Sequence, residues 1–170
     1  PERSIEFLRQ AYETDKNPGT ASRYMNALLD LNPPQVATAE EVLQAMRDKI
    51  AKDYGLTLAR ARVLFAKNKA SDAAAAGVDA AKMLDVMDAN AVMAWYEVVQ
   101  KFMPDSKQMI PYLESIEKAG FIPDWMKFYR ANVLFNDSPT REQALSMMKD
   151  LTDGKKPRPV RLFSYRAIGV

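Results

Sequence analysis

The basic residues of this sequence recur beside aromatic residues, a combination that could bind a polyanion. Lys127 and Arg130 lie about one helical turn apart, with Tyr129 between them. Other basic residues recur earlier in the chain and near its end: Arg60, Arg62 and Lys67, then Lys155, Lys156, Arg158 and Arg161. Cations that contact phosphates, beside aromatic rings that stack on bases, are typical of grooves that bind single-stranded nucleic acid. The same spacings are also typical of a solvated helix face, and this alternative stays open.

The aromatic residues allow two interpretations. Trp95, Trp125 and Tyr129 could stack on bases, but large aromatic side chains more often pack in a core. The sequence favours a core position for the two tryptophans and leaves Tyr129 open. The 10 methionines are expected to fill gaps in the core.

The sequence argues against catalysis. It contains no His and no Cys, which excludes disulfides, thiol nucleophiles, histidine acid–base chemistry and His/Cys zinc sites. Glu114 and Glu117 share a helix face, but no Gly-rich phosphate loop and no third converging acid accompany them. We therefore expect no catalytic residue, metal site, cofactor or small-molecule substrate.

The composition indicates a soluble helical protein. Of 170 residues, 48% are hydrophobic, 27% are charged and only 6 are Gly. No apolar run reaches the roughly 18 residues of a membrane span, so we expect no membrane partner. The net charge of +2 permits a nucleic-acid partner without requiring one. Because the chain starts at Pro1 rather than Met, we expect it to be a fragment of a longer protein.

An internal repeat predicts an all-α fold. RARVLF at 60–65 matches RANVLF at 130–135, and WYEVVQ at 95–100 lies halfway between them. The offset of 35 residues predicts a right-handed α-solenoid of helix-turn-helix units over 1–170, although chance similarity between amphipathic helices is the alternative. The predicted units cover about 20–54, 55–89, 90–124 and 125–159, with a partial unit at each end. Their second helices are predicted at about 38–53, 71–87, 106–119 and 139–151. We expect Thr38 to cap the first of these, Asp124 to cap the helix that begins near Trp125, residues 104–106 to form a turn, and the tail RLFSYRAIGV to begin another helix.

The stretch EKAGFIPD at 117–124 carries a family resemblance. A 35-residue helix-turn-helix unit that ends at Gly, with Pro-Asp leading into the next unit, resembles the pentatricopeptide repeat. Phe128 and Ala144-Leu145 match its aromatic slot and its Ala-Leu pair. The repeats are degenerate, similar to those of animal mitochondrial members. A tetratricopeptide array is the nearest rival, but its Trp-Leu-Gly-Tyr spacing is not found.

The resemblance implies single-stranded RNA binding in the mitochondrial matrix, in RNA stability or processing, with one base read per repeat. Position by position, the residues implied to face the bases are Tyr24 with Tyr54, Ala59 with Ala89, Ala94 with Asp124, and Tyr129 with Pro159 or Arg158. The sequence departs from the family because Ala59 and Ala94 cannot hydrogen-bond a base. Only Asp124 is a usual member of such a pair. Mostly backbone contacts are therefore expected, and a protein–protein interaction scaffold without RNA contact is the alternative.

Overall fold

The computed structural model describes residues 2–85, 87–101, 109–118, 120, 122–136 and 138–169. Within these ranges every regular element is a helix and there is no strand, which confirms the all-α prediction. The chain divides into two compact units, Pro1–Met83 and Leu84–Val170, which we call the N-terminal unit and the C-terminal unit. None of the described helices is both long enough and apolar enough to cross a membrane.

The described residues of the N-terminal unit form five α-helices and one short 3₁₀ turn. The helices are α1 (Glu2–Thr14), α2 (Pro18–Leu29), α3 (Val36–Ala45), α4 (Tyr54–Ala66) and α5 (Ala70–Ala81), and the 3₁₀ turn is Ile50–Lys52. Helix α2 packs against α1, α3 and α4, and α4 also packs against α5. The core comes mostly from α2 and α4, and its side chains are Ala, Val, Leu and Met together with two tyrosines, Tyr12 of α1 and Tyr24 of α2.

Polar side chains begin two helices of the N-terminal unit. The Asn17 side-chain oxygen accepts a hydrogen bond from the Thr20 backbone N–H at 2.9 Å, and Asp53 accepts one from the Leu56 N–H at 2.8 Å. These caps satisfy backbone donors that have no partner within the helix. Gly55, in the first turn of α4, lies so close to α2 that an added Cβ would be 3.0 Å from Ser22 Oγ.

The predicted second helix at about 38–53 is wrong in its boundaries. Helix α3 begins at Val36, before the Thr38 cap that the sequence suggested, and its N-cap residue Gln35 makes no side-chain cap bond. The helix ends at Ala45, and the chain then turns into the separate 3₁₀ segment. Met46 is buried at this turn and Ile50 packs against the same core, so the break brings both side chains inward.

The C-terminal unit also contains five α-helices among its described residues. They are α6 (Ala89–Gln100), α7 (Met109–Lys118), α8 (Pro123–Phe135), α9 (Arg141–Asp150) and α10 (Arg158–Ile168), with a 3₁₀ turn at Ser138–Thr140. Helix α8 packs against α7, α9 and α10, and α9 packs against α10. The predicted turn at 104–106, and with it the predicted start of a helix at 106, lies outside the described residues. The prediction that the tail RLFSYRAIGV begins another helix is confirmed by α10.

The prediction that Asp124 caps α8 is wrong. The N-cap position is Ile122, in the left-handed region at φ 40°, and it makes no side-chain cap bond. Pro123 is the first helical residue, a position where its missing N–H costs nothing. Asp124 lies inside the first turn, where its carboxylate accepts a hydrogen bond from Lys156 Nζ at 2.9 Å.

Aromatic rings form the centre of the C-terminal unit. The Trp125 ring lies 5.9 Å from the Tyr129 ring and 5.7 Å from the Phe163 ring, measured between centroids. Phe128 lies beside both Trp125 and Phe163. Trp125 and Trp95 are fully buried, as the sequence favoured.

Alternate helices begin at a regular spacing along the chain. Helices α2, α4, α6, α8 and α10 begin at residues 18, 54, 89, 123 and 158, at intervals of 34 to 36 residues. This is the spacing expected if each begins a repeat, while the stacking of all the repeats into one solenoid stays a prediction.

Candidate polyanion-binding surface

The basic residues predicted on α8 are held in ion pairs. Lys127 Nζ lies 3.0 Å from Asp150 Oδ2, and Arg130 Nη1 lies 3.1 Å from Glu117 Oε2 and 3.4 Å from Glu114 Oε1. These contacts join α8 to α7 and α9. A phosphate group would have to compete with these carboxylates for the same cations.

Two of the three basic residues predicted on α4 are paired in the same way. The Arg62 guanidinium donates to Asn26 Oδ1 at 2.8 Å and to Asp30 Oδ1 at 2.5 Å, both on or beside α2. Lys67 forms an ion pair with Glu40 of α3. Arg60 is exposed and makes no ion pair with any described residue.

Three of the positions implied to read bases are inside the protein, whereas Ala94 is exposed. Tyr24 is 6% exposed, Ala59 is 0% and Tyr129 is 1%. The Tyr129 ring stacks on Tyr96 with centroids 3.8 Å apart, and its hydroxyl donates to Met93 Sδ at 3.1 Å. Burial raises the pKa of Tyr129 above its usual range. The structure thus places Tyr129 in the core, where its ring cannot reach a base.

The end of the chain differs because it contains cations but no acid after Asp153. Residues 154–170 contain five Lys and Arg and no Asp or Glu, whereas residues 1–153 contain 19 basic and 22 acidic residues. Lys155, Arg158 and Arg166 are exposed, and none of them pairs with an acid in the part of the chain that the structure describes. Local charge of one sign attracts a polyanion even when the net charge of the protein is small.

Helix α10 presents two arginines and a tyrosine on one face. Residues three, four or seven apart lie on the same side of a helix, which puts Arg158 beside Arg161 and Tyr165. Arg166 lies eight residues after Arg158, about 80° further around the helix. Val160 and Ser164 lie on the opposite side and are buried. We call the set Lys155, Arg158, Arg161, Tyr165 and Arg166 the α10 surface.

Two members of the α10 surface contact the turn that precedes the helix. The Tyr165 hydroxyl donates to the Thr152 carbonyl at 3.3 Å. Arg161 lies beside Gly154, where an added Cβ would be 3.9 Å from its Nη1. The Arg161 Nε is buried and has no hydrogen-bond partner among the described residues, so one donor of this guanidinium is unsatisfied.

Lys156 is the exception in this basic segment. Its hydrogen bond to Asp124 raises the pKa of the Lys156 ammonium. The sequence cluster Lys155, Lys156 and Arg158 is thus divided between one structural cation and two exposed ones. Tyr165 and Arg166 were not singled out from the sequence, although the absence of any acid after Asp153 was a visible sign of a cationic segment.

No protein-family model, curated protein or solved structure matches this chain. Among the residues that the structure describes, no group of three or more acidic side chains is placed to hold a metal ion.

Proposed function

We propose that this chain is a helical-repeat module, similar to pentatricopeptide-repeat proteins, that binds the backbone of single-stranded RNA without catalysing a reaction. The observation that supports the proposal best is the α10 surface, where exposed cations lie in a segment without acids. Phosphate contacts supply most of the affinity of nonspecific nucleic-acid binding. The family resemblance further suggests a role in RNA stability or processing in the mitochondrial matrix.

The proposal is for backbone contact rather than sequence reading. Tyr24, Ala59 and Tyr129 are buried, so these positions cannot form hydrogen bonds with base edges in this structure. Arg158 and Arg161 can contact phosphates, and Tyr165, which is 38% exposed, offers part of a ring for stacking. RNAs of different sequence are therefore expected to bind with similar affinity.

Fluorescence polarisation with labelled single-stranded RNA tests this proposal. The variant Lys155→Glu, Arg158→Glu, Arg166→Glu reverses three exposed charges of the α10 surface. We expect the unchanged protein to bind more weakly as salt rises, with a slope of log K against log salt of about −2 for three phosphate contacts. The variant should lose at least about tenfold in affinity at low salt and most of this slope.

The matched control reverses three exposed cations of the N-terminal unit: Lys16→Glu, Arg23→Glu and Lys52→Glu. It changes the net charge of the protein by the same amount. Retained binding in the control and loss in the α10 variant would support the proposal. Equal losses would show attraction to overall charge only, and no binding by the folded, unchanged protein at low salt would overturn RNA contact.

A protein-interaction scaffold is the second candidate, and the burial of Tyr24, Ala59 and Tyr129 favours it. Phe7 of α1 is 69% exposed and Leu162 of α10 is 50% exposed, so each offers apolar surface that a protein partner could cover. Affinity for an acidic peptide that exceeds affinity for RNA, and that Leu162→Ser weakens, would favour this candidate.

A further inference from the structure

A cavity of about 440 Å³ lies in the N-terminal unit, where the 3₁₀ turn meets α4 and α5. Ile50, Ala51 and Met83 supply its apolar wall. This volume is within the range of small-molecule sites, which combine apolar walls with a few polar groups. The residues described around the cavity have no part in the α10 surface.

The charged groups of the cavity leave one positive charge uncompensated. Arg60 of α4 lines the cavity together with Asp79 of α5 and Lys82, the residue that follows α5. Lys82 Nζ lies 2.7 Å from Asp79 Oδ1, so the charges of these two side chains offset each other. Arg60 makes no ion pair within the described ranges, and its guanidinium therefore sets the net charge of the cavity at +1.

A hydrogen bond joins the two sides of this cavity. The Thr57 hydroxyl, which is buried, donates to the carbonyl oxygen of Ile50 at 2.7 Å. Thr57 lies on α4 three residues before Arg60, so the bond ties the helix that carries the guanidinium to the 3₁₀ turn that carries the apolar wall. Sites whose parts are held by the scaffold in this way bind with less loss of entropy.

We propose that this cavity binds a small monocarboxylate that carries an apolar group. The planar guanidinium of Arg60 can donate two parallel hydrogen bonds to the two carboxylate oxygens. The apolar group of the ligand would cover Ile50 and Met83. This site is independent of the proposed RNA binding and holds with or without it.

The lining argues against a nucleotide as the ligand. A phosphate monoester carries a charge of about −1.5 to −2 at neutral pH, which exceeds the +1 of the cavity and would be repelled by Asp79. No aromatic ring is found among the described lining residues, so a base would have no ring on which to stack. A carboxylate with a single charge matches the site.

Methyl NMR of the full chain tests the proposal, with 3-phenylpropionate as the probe and its neutral amide as the control. The Met83 and Ile50 methyl resonances should shift and saturate with the carboxylate at millimolar concentration or below. The amide should bind about tenfold more weakly, or not at all, because it lacks the charge that Arg60 recognises.

Variants locate the binding. Arg60→Gln should weaken the carboxylate about tenfold, whereas Arg23→Gln, at an exposed arginine of α2, should leave it unchanged. Asp79→Asn should strengthen binding by removing the like charge, and Ala51→Phe should abolish it by filling the cavity. Equal binding of acid and amide, an unaffected Arg60→Gln variant, or tighter binding of uridine monophosphate than of 3-phenylpropionate would overturn the proposal.

Discussion

The two compact units have helices at similar spacing but pack them with different side chains. In the N-terminal unit, Asn17 and Asp53 cap α2 and α4 with side-chain hydrogen bonds. In the C-terminal unit, Asp88 caps α6 in the same way, but α8 begins at Pro123 after a left-handed Ile122 and has no side-chain cap. The Trp125 ring in the first turn of α8 packs against the rings of Tyr129 and Phe163. A repeat spacing therefore does not require the same residues to stabilise each repeat.

The charges of the two units differ in distribution rather than in number. Each unit contains 12 of the 24 basic residues and 11 of the 22 acidic residues, a net charge of +1 in both. In the C-terminal unit, five of those 12 cations fall in residues 154–170, where there is no acid. The two units therefore have equal net charge but different charge distributions: the charges of the N-terminal unit are mixed, whereas the C-terminal unit ends in a cationic segment. Only the C-terminal unit has a charge distribution that favours a polyanion.

The largest expected effect comes from removing the central ring of the C-terminal unit. Trp125→Ala leaves a large cavity beside Tyr129 and Phe163, and should lower the free energy of unfolding by about 3–5 kcal/mol. Urea denaturation followed by circular dichroism measures this loss. Leu28→Ala is the counterpart in the N-terminal unit and should cost about 2–5 kcal/mol. A loss below that of Leu28→Ala would contradict the view that aromatic packing dominates the C-terminal unit.

The second-largest expected effect is a difference between the two units in how much stability they lose at alkaline pH. Burial raises the pKa of both Tyr24 and Tyr129, more strongly for Tyr129. A raised folded-state pKa means that stability is fully present below the unfolded value near 10 and is lost as pH rises beyond it. Each such tyrosine lowers the free energy of unfolding by up to about 1.4 kcal/mol per pH unit above 10.

Denaturation between pH 8 and pH 11 would show this difference. Tyr129→Phe should remove more of the alkaline loss than Tyr24→Phe, because phenylalanine has no proton to lose. If both variants lose stability above pH 10 as steeply as the unchanged protein, the buried hydroxyls do not control the alkaline response.

The smallest predicted effect concerns helix starts. Asp53→Ala removes the cap of α4 and should destabilise the N-terminal unit by about 1 kcal/mol. Asp124→Ala removes only a partly exposed pair with Lys156 and should cost less, about 0.2–1 kcal/mol. Thermal denaturation of the two variants in the same buffer compares them. A larger loss of stability in Asp124→Ala than in Asp53→Ala would mean that the ion pair contributes more stability than the cap.

Much of the fold could be predicted because helices are local structures. Apolar spacing and turn residues correctly indicated an all-α chain and a final helix at its end, since a helix closes its hydrogen bonds within four residues. The break after α3 was missed because it brings Met46 and Ile50 into a core whose other side chains come from distant helices. The start of α8 was misplaced because Pro123 can begin a helix without a cap.

By itself, the sequence determined the helical class, the positions of most helices and the segment 154–170, which contains five cations and no acid. The tertiary structure decided which of the other cations form ion pairs with carboxylates. Arg62 reaches Asp30, and Lys127 reaches Asp150, only because packing brings helices 23 to 32 residues apart into contact. Packing likewise decided that Tyr129 is buried against Tyr96. Pairing and burial depend on distances through space, which a residue's neighbours along the chain do not set.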